Sequence, residues 1–461
     1  MLKDKKILLV GLGILGGGES IAKFLLKQGT KLTITDLRNR KVLNPTIKRL
    51  PYKKIKFILG KHRKIDFKNN DIIIFNPAVS IFSPWVKLAK SYRKPIENDL
   101  TMFLEMLDFR YPTSPYIAVT GTRGKTTVAT WINYFLANSV LGGNMPNKGL
   151  LGILKKKARL FILELSSFQL EFIRKGFVAP KIAIVTNFYN DHLNRYGDMT
   201  NYLDQKAKIF LNQTKNDFLI LNNDNKYTKE FLKKKPKSRI YYFSLKKLPT
   251  NKNGLFFNRD KTYFQENARL FAIADKRSFS DLADYQKVNL LAALLGAYLY
   301  ERNWIKFIKK IKNFPPIPFR QEIVYQNKNL TIINDTVATS PEATIAALER
   351  FKNYKNSLIL IIGGTDKNLE FNELSGKIKK YIRKENLYLL EGSATKKLIQ
   401  ELKENKLKIF NNLKEILLDI KQNKKTGIIL FSPASASFEK FKNEFDRGRQ
   451  FNKLIKTIFK K

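Results

Sequence analysis

Residues 120–127 have the sequence Thr120-Gly121-Thr122-Arg123-Gly124-Lys125-Thr126-Thr127. The apolar run Tyr116–Val119 precedes this segment and predicts a buried strand, and Thr126–Ala137 predicts a helix directly after it. A glycine-rich turn between a strand and a helix can direct backbone N–H groups at phosphate. The segment therefore predicts an α/β domain with a nucleotide phosphate site.

The turn departs from a strict Walker A motif at one position, because Val119 stands where the motif has its first glycine. The remaining residues keep their chemistry: Lys125 can reach the β- and γ-phosphates, and the Thr126 hydroxyl can ligate Mg²⁺. We therefore expect the protein to use ATP or GTP. The alternative is a chance Gly-Lys-Thr in a loop, which the flanking strand and helix disfavour.

Apolar runs on both sides of this turn predict parallel sheets with helical crossovers. The predicted strands are Lys5–Val10, Lys31–Thr35, Asp71–Phe75, Phe161–Leu165, Lys181–Val185, Phe218–Leu221, Leu330–Ile333, Leu358–Ile362, Leu387–Leu390 and Gly427–Phe431. Predicted helices cover Ile21–Gln28 and Lys287–Tyr300. The run Arg239–Phe243 either continues a sheet or begins an antiparallel flap.

These elements group into three predicted α/β domains with boundaries at 1–98, 99–315 and 316–461. The second boundary falls in Phe314-Pro315-Pro316-Ile317-Pro318, because prolines end helices and stiffen connections.

The composition excludes some classes of site and leaves others open. The formal charge of +47, from 86 basic and 39 acidic residues, is compatible with nucleic-acid binding. The basic residues are mostly Lys and are spread along the chain, so an AT-rich genome explains them better, and we expect no nucleic-acid partner. The absence of cysteine excludes disulfides and thiol chemistry. No apolar run approaches the length of a membrane span, and Ile7–Val10 is too short for a signal peptide. These features predict a cytoplasmic protein with no membrane insertion.

A second glycine motif lies near the start of the chain. Gly11-Leu12-Gly13-Ile14-Leu15-Gly16 matches G-x-G-x-x-G after a predicted strand, and Asp36 follows 20 residues beyond Gly16. Alone this pattern favours an NAD-dependent oxidoreductase, but the same geometry can bind any nucleotide diphosphate. The alternative is a purely structural role, in which the motif forms a tight turn and binds no ligand.

Four segments together resemble the Mur ligases and their folylpolyglutamate-synthetase relatives. Besides the turn at 120–127, they are Glu164-Leu165-Ser166-Ser167-Phe168-Gln169-Leu170-Glu171, Asn190-Asp191-His192-Leu193-Asn194-Arg195-Tyr196, and Ser432-Pro433-Ala434-Ser435-Ala436-Ser437-Phe438 with Arg447-Gly448. They occur in the family's order and cover nearly the whole chain. The resemblance implies an N-terminal Rossmann-like domain that binds a UDP-sugar, a central P-loop domain that binds ATP, and a C-terminal Rossmann-like domain that brings an amino acid.

The activity implied by this resemblance is ATP-dependent ligation of glutamate to UDP-N-acetylmuramoyl-L-alanine in peptidoglycan precursor synthesis, through an acyl phosphate, with release of ADP and phosphate. Segment 164–171 favours the branch that adds D-glutamate. Ligation of L-glutamate, or another amide ligase of the Mur or folylpolyglutamate type, stays open. So does a degenerate, weakly active protein. A basic nucleic-acid-binding ATPase has no recognition motif in its favour. The implied protein is a monomer with two Mg²⁺ sites.

The resemblance also implies residue roles. For nucleotide binding the matched residues are Gly121, Thr122, Arg123, Gly124, Lys125, Thr126, Thr127, Asn289, Arg320 and Asp335, with Asn289 at the start of a helix Asn289–Leu299. For Mg²⁺ they are Thr126, Glu164, His192 and Lys206, and for catalysis Lys125, His192 and Lys206. For the UDP substrate they are Gly13, Asp36, Arg38, Asn144 and Ser166. For the incoming glutamate they are Thr339, Lys367, Ser437 and Phe445. Lys206 matches a lysine that the family carbamylates, and Lys208 is its rival in register.

Three departures from the family's pattern bear on specificity. Val337 replaces a lysine in Asn334-Asp335-Thr336-Val337-Ala338-Thr339, Arg123 stands where Asn is common, and the loop after Asn144 has the sequence Met145-Pro146-Asn147-Lys148. These departures are why the stereochemistry of the glutamate stays open.

Overall fold

A computed structural model describes residues 2–14, 16–145, 148–156, 158–259, 261–275, 279, 282–311, 315, 317–404, 406–423 and 426–459. The residues outside these ranges include Leu15 of the first glycine motif, Pro146 and Asn147 of the altered loop, and Phe314 and Pro316 of the predicted linker. The chain divides into two compact units, Met1–Phe314 and Pro315–Lys461.

The first unit begins with a five-stranded parallel sheet. Its elements are β1 (Lys6–Val10), α1 (Gly17–Lys27), β2 (Lys31–Asp36), α2 (Arg40–Ile47), β3 (Ile55–Leu59), α3 (Lys64–Asn69), β4 (Ile72–Phe75), α4 (Pro84–Ser91) and β5 (Ile96–Glu97). The strand order is β3-β2-β1-β4-β5. The chain therefore reverses direction across the sheet between β1 and β4, and the loops after these strands border a crevice of the kind in which α/β sheets bind ligands.

The same unit continues with a nine-stranded sheet. Its elements are α5 (Asp99–Arg110), β6 (Tyr116–Thr120), α6 (Lys125–Phe135), β7 (Ser139–Gly143), α7 (Leu150–Ile153), β8 (Leu160–Glu164), α8 (Ser167–Leu170), β9 (Ile182–Val185), α9 (Leu193–Tyr196), α10 (Met199–Ala207), β10 (Phe218–Asn222), α11 (Thr228–Lys233), β11 (Arg239–Ser244), β12 (Gly254–Asn258), β13 (Lys261–Glu266), β14 (Arg269–Asp275), α12 (Asp284–Glu301) and α13 (Trp304–Ile311). The strand order is β14-β13-β12-β11-β10-β9-β6-β8-β7.

The run Arg239–Phe243 continues this parallel sheet, since β11 pairs in parallel with β10 and with β12. The antiparallel part begins only at β13 and ends at β14. Every residue of β6 and β8 is buried, as expected for central strands of a sheet that is covered by helices.

The second unit contains a six-stranded sheet in the order β15-β16-β20-β17-β18-β19. Its elements are β15 (Glu322–Gln326), β16 (Leu330–Asn334), α14 (Pro341–Phe351), β17 (Leu358–Gly363), α15 (Asn372–Tyr381), β18 (Leu387–Leu390), α16 (Ser393–Leu402), β19 (Ile409–Phe410), α17 (Leu413–Gln422), β20 (Gly427–Phe431) and α18 (Glu444–Ile458). Only the edge strand β15 is antiparallel to its neighbour. The predicted α/β class with three parallel-type sheets is confirmed.

The predicted start of one helix is wrong. Helix α12 begins at Asp284, so Asn289 lies in its second turn and does not open it. The backbone N–H of Ala283 donates to the side-chain oxygen of Gln286 at 3.0 Å, which satisfies a donor at the true N-terminus. Among the described residues, no helix is both long enough and apolar enough to cross a bilayer.

A buried arginine stabilises the second unit. Arg447, on α18, is 0% exposed. Its guanidinium donates to Thr336 Oγ1 at 3.0 Å and to the carbonyls of Thr336, Ser435 and Ala436 at 2.8, 3.0 and 3.0 Å. These acceptors lie in the loops after β16 and β20. Burial lowers the pKa of Arg447 to about 9, so the hydrogen bonds offset a real cost of desolvation.

We expect Arg447→Met to lower the free energy of opening of this unit by about 3 kcal/mol, because three buried carbonyls and a hydroxyl lose their donor. Hydrogen exchange measured by mass spectrometry on peptides from β16 and β20 tests this, since Trp85, Trp131 and Trp304 all lie in the first unit. The control is Arg449→Met on the same helix, whose side chain is 57% exposed. Equal effects of the two substitutions would contradict the assignment.

Candidate active site

The glycine turn after β6 has a conformation that requires glycine. Gly124 precedes α6 with φ of 81°, and Gly121 has φ of 145°. A Cβ on Gly124 would lie 2.4 Å from Asn289 Oδ1, and one on Gly121 would lie 2.0 Å from Thr186 Oγ1. Both positions therefore exclude any side chain, and Asn289 is placed against the turn although its helix begins earlier than predicted.

Two residues after β9 hold the turn in place. The backbone N–H groups of Thr122 and Arg123 donate to the carbonyl and the side-chain oxygen of Asn187 at 3.0 and 2.9 Å. Thr186 Oγ1 donates to the carbonyl of Arg123 at 2.6 Å. Sequence analysis missed Thr186 and Asn187. Their position at the end of a strand, just before the motif at 190–196, is the signal that could have indicated them.

Lys125 bends back over the turn. Its Nζ donates to the carbonyls of Gly121 and Thr122 at 3.1 and 3.0 Å. Thr126 is half-buried in the first turn of α6, and Thr127 is buried behind it. The predicted phosphate-binding residues therefore lie around one short loop, with a cation and the N-terminus of a helix at its centre.

Lys206 reaches the same loop from α10. Its side chain is 2% exposed, and Nζ donates to the carbonyl of Gly121 at 2.8 Å. Burial, and then the neighbouring charge of Lys125, hold the pKa of Lys206 well below its usual range, while Asp191 acts in the opposite direction. The rival Lys208 instead donates to the carbonyl of Glu171. Of the two lysines, the structure brings Lys206 to the glycine turn.

Glu164 and Asn144 lie at the same edge of the sheet. Glu164 ends β8, where it pairs with Val119 of β6, and its side chain is buried. The backbone N–H of Asn144 donates to the carbonyl of Glu164 at 2.8 Å, and Asn144 is exposed. Ser166 caps α8, since its hydroxyl accepts from the backbone N–H of Gln169 at 3.2 Å. These predicted residues therefore border the nucleotide loop on one side.

His192 borders the loop on the other side. It has a left-handed backbone, with φ of 56°, and precedes α9. Its ring packs against the rings of Phe168 and Tyr202 at centroid distances of 4.9 and 5.7 Å. Burial lowers the pKa of His192, which Asp191 opposes and the cations of Lys206 and Lys125 reinforce. The imidazole is therefore neutral near pH 7, which leaves one of its nitrogens able to accept a proton or bind a metal.

The donor set fits one Mg²⁺ better than it fits two. Among the described residues, no group of three or more His, Asp or Glu is placed to hold a metal ion. Mg²⁺ commonly takes one or two protein oxygens and fills the rest of its shell with water and phosphate oxygens. The hydroxyl of Thr126 and the carboxylate of Glu164 can supply the two protein oxygens. His192 and an unmodified Lys206 offer only nitrogen, so they fit a second Mg²⁺ only if Lys206 carries an added oxygen ligand.

The first glycine motif forms a turn that Asp36 closes. Its carboxylate accepts from the backbone N–H of Gly13 at 3.0 Å and of Arg38 at 2.8 Å. The guanidinium of Arg38 lies 3.6 Å from Asp36 and is about half exposed. His62 is structural, because its Nδ1 lies 2.7 Å from Thr35 Oγ1 and burial lowers its pKa. Asp36 therefore shapes this turn through backbone contacts.

In the second unit, Asp335 follows β16 and is buried. Its oxygens accept from the backbone N–H of Gln321 at 3.2 Å and from Ser432 Oγ at 2.9 Å. Burial raises the pKa of Asp335 to about 7, while those hydrogen bonds and the cations of Arg320 and Arg350 act against this rise. Arg320 itself is half-buried. The carboxyl of Asp335 is therefore easier to protonate than that of an exposed aspartate.

Two hydroxyls in the loop after β20 have no hydrogen-bond partner among the residues that the structure describes. Ser437 and Ser435 are buried, and neither Oγ makes a hydrogen bond. Such orphaned groups are rare in folded proteins and are typical of a place where a ligand or water completes the bonding. The other residues predicted to bind glutamate are Thr339 after β16, exposed Lys367 after β17, and Phe445, whose ring lies 6.4 Å from that of Phe319. The loops after three adjacent strands thus carry Thr339, Lys367 and Ser437.

Comparison with known proteins covers almost the whole chain. Three family models match: the MurD-like N-terminal domain of Mur ligases over residues 5–97, the Mur ligase middle domain over 119–297, and the Mur ligase glutamate ligase domain over 319–435. A UDP-N-acetylmuramoylalanine--D-glutamate ligase from Borreliella afzelii is 36% identical over 472 residues, with 99% of both chains covered.

Two solved structures share the fold. The UDP-N-acetylmuramate-alanine ligase MurC from Thermotoga maritima has a TM-score of 0.60 at 19% identity, over 98% of this chain and 99% of that one. The MurF ligase from Thermotoga maritima, in complex with ADP, has a TM-score of 0.58 at 15% identity, over 99% and 96%. The family that the sequence motifs predicted and its class of activity, an ATP-dependent ligase, are confirmed. This chain belongs to the Mur ligase family.

Proposed function

We propose that this chain joins D-glutamate to UDP-N-acetylmuramoyl-L-alanine at the expense of ATP, in the cytoplasm and as a monomer, as a step of peptidoglycan precursor synthesis. The observation that carries the proposal is the glycine turn at 121–124. Lys125, Lys206 and the N-terminus of α6 converge on it. The second support is the similarity, over 99% of the chain, to relatives named UDP-N-acetylmuramoylalanine--D-glutamate ligase.

The chemistry needs activation because a carboxylate is a poor electrophile. An oxygen of the alanyl carboxylate bonds to the γ-phosphorus of ATP while the bond to the β,γ-bridging oxygen breaks and ADP leaves. The amine of glutamate then attacks the acyl carbon, the bond to phosphate breaks, and the amine loses a proton. Lys125 and the N-terminus of α6 stabilise the negative charge of the transferring phosphate.

Thr126 and Glu164 would hold a Mg²⁺ ion, which when bound neutralises phosphate charge. For a second ion we propose His192 together with a carbamylated Lys206. The low pKa of Lys206 supports this, because only a neutral amine can attack CO₂, and the product is an anion with two oxygens.

The substrates have separate places in this proposal. The turn at Gly13, at the N-terminus of α1, and the exposed Arg38 suit the diphosphate and uracil end of the UDP substrate, with Asn144 and Ser166 nearer the reacting carboxylate. In the second unit, Arg320 and Asp335 serve the nucleotide. The orphaned hydroxyl of Ser437, with Thr339 and Phe445, suits the incoming amino acid, and Lys367 suits its side-chain carboxylate.

We expect Lys125→Ala to lower ATP-dependent phosphate release by at least about 100-fold, because the glycine turn loses a cation that stabilises the transferring phosphate. The assay contains the purified protein, Mg²⁺, UDP-N-acetylmuramoyl-L-alanine and D-glutamate. The matched control is Lys233→Ala on α11, where the ammonium is exposed and pairs with Glu230 at 2.9 Å. Unchanged turnover in Lys125→Ala would remove the phosphate-loop assignment.

If Lys206 is carbamylated, we expect CO₂-depleted buffer to lower turnover several-fold and bicarbonate to restore it. A carbamate carbon should appear by NMR after incubation with ¹³C-bicarbonate and be lost in Lys206→Ala. Lys208→Ala should keep both responses, since Lys208 contacts the carbonyl of Glu171 instead. Turnover that ignores CO₂, with no carbamate signal in the wild-type protein, would refute the modification.

Phosphate release should require both UDP-N-acetylmuramoyl-L-alanine and D-glutamate, with Val337 tolerated in place of lysine. The measurement is made in parallel with L-glutamate. Release with L-glutamate only would keep the mechanism and move the chain to the other branch. Release with neither amino acid would contradict the proposed substrates.

A further inference from the structure

The motif at 190–196 contains an arginine to which the proposed chemistry gives no role. Arg195 lies on α9, three residues after His192, and its side chain is only 10% exposed. It forms a two-point ion pair with Glu171, whose side chain is 0% exposed: Nε donates to Oε1 at 2.6 Å and Nη2 donates to Oε2 at 2.8 Å. A buried pair of this geometry moves as one body, because separating it would leave a charge unpaired.

The pair also forms hydrogen bonds with the loop that follows β4 of the N-terminal sheet. The segment Pro77–Val79 follows β4, and Arg195 donates to the carbonyls of Pro77, Ala78 and Val79 at 2.9, 3.0 and 3.2 Å. The backbone N–H of Ile81 donates to Glu171 Oε2 at 2.9 Å. Four hydrogen bonds therefore attach residues 77–81, the segment after β4, to a single ion pair.

The other side of that segment lies against the first glycine turn. A Cβ placed on Gly11 would be 3.2 Å from both Val79 Cγ2 and Asn76 Cβ, and one on Gly17 would be 3.6 Å from Asn76 Nδ2. A shift of this segment therefore displaces a wall of the turn that we assign to the UDP substrate.

The ion pair also supports the side chains around the nucleotide loop. The Tyr196 hydroxyl donates to Glu171 Oε1 at 2.7 Å, and its ring stacks on Tyr202 at 5.2 Å. The ring of Phe168 lies 3.9 Å from the Arg195 guanidinium carbon and 4.9 Å from the His192 ring. The Tyr202 ring, in turn, lies 4.7 Å from Lys206 Nζ.

From these contacts we infer that Arg195 is a positioning residue that couples the UDP-substrate turn of the N-terminal sheet to the His192 and Lys206 side of the nucleotide loop. The inference rests on the proposed function for the identity of the two ligands. Its physical basis is that one planar guanidinium donates both to the segment after β4 and to Glu171. Binding of a ligand at one of the two sites therefore changes the affinity of the other site for its ligand.

The chain offers a matched control. Arg174 also bridges the central region to the N-terminal sheet, with Nη2 donating to Glu97 Oε1 at 2.7 Å and its guanidinium 4.5 Å from the Phe177 ring. It reaches β5 in place of the segment after β4, and its side chain is 52% exposed. Arg174→Met therefore removes a bridging arginine without touching the Arg195 pair.

The test is calorimetric titration of UDP-N-acetylmuramoyl-L-alanine with and without saturating ADP, on wild type, Arg195→Met, Arg195→Lys and Arg174→Met, together with kcat and KM. In wild type and Arg174→Met we expect ADP to change the substrate Kd by about five-fold or more. In Arg195→Met the ratio of the substrate Kd without ADP to that with ADP should fall within two-fold of one. The kcat should drop at least ten-fold while the KM for ATP changes less than three-fold. The values for Arg195→Lys should lie between those of wild type and Arg195→Met, because lysine keeps the positive charge but cannot donate from two nitrogens to Glu171 at once.

An unchanged coupling ratio in Arg195→Met overturns the inference, as does its loss in Arg174→Met or a ratio of one in an active wild type. If Arg195→Met does not fold, as judged by circular dichroism, Arg195→Lys and Glu171→Gln carry the same test with the same expected loss of coupling. A wild-type protein that neither binds the UDP substrate nor releases phosphate overturns the proposed function, an outcome distinct from active enzyme without coupling.

Discussion

The carbonyl oxygen of Gly121 accepts hydrogen bonds from two lysine side chains, Lys125 and Lys206. Two ammonium groups on one acceptor repel each other, and burial together with this repulsion holds the pKa of Lys206 low. This repulsion is relieved under either of two conditions: an anion enters between the cations, or one of them loses its charge. Phosphate binding satisfies the first condition, and a neutral or carbamylated Lys206 satisfies the second.

The sheet places these groups with little contribution from the loops themselves. Strands β7, β8, β6 and β9 are neighbours, and their carboxyl ends carry Asn144, Glu164, the glycine turn and Thr186. Because parallel strands end at one edge, residues far apart in sequence meet there without long excursions of the chain. In the N-terminal sheet, the loops at the carboxyl ends of the neighbouring strands β1 and β4 meet in the same way. In the second unit, the loops after β16, β17 and β20 do so.

The contacts of Arg195 add a second constraint to this arrangement. The N-terminal turn and the nucleotide loop belong to different sheets, although one hydrophobic cluster contains residues of both. The buried pair of Arg195 and Glu171 gives both sheets a common anchor, since its hydrogen bonds go to backbone atoms of one and to side chains of the other. Backbone acceptors hold a segment whatever its side chains are, so on the N-terminal side this link depends on the arginine and the glutamate.

The sequence by itself determined the α/β class, the three sheets, the glycine turn with Lys125 and Thr126, and the family. Those features depend on local order: apolar runs, glycine spacing and motifs that are contiguous in the chain. The short strand β5, the polar strand β13 and the edge strand β15 escaped prediction because none of them has a long continuous apolar run. Only the tertiary structure decided that Asn289 rests on Gly124, that Lys206 and not Lys208 reaches the turn, and that Arg195 pairs with Glu171. Each of these contacts joins residues 24 to 165 positions apart, and their choice depends on which side chains burial brings together.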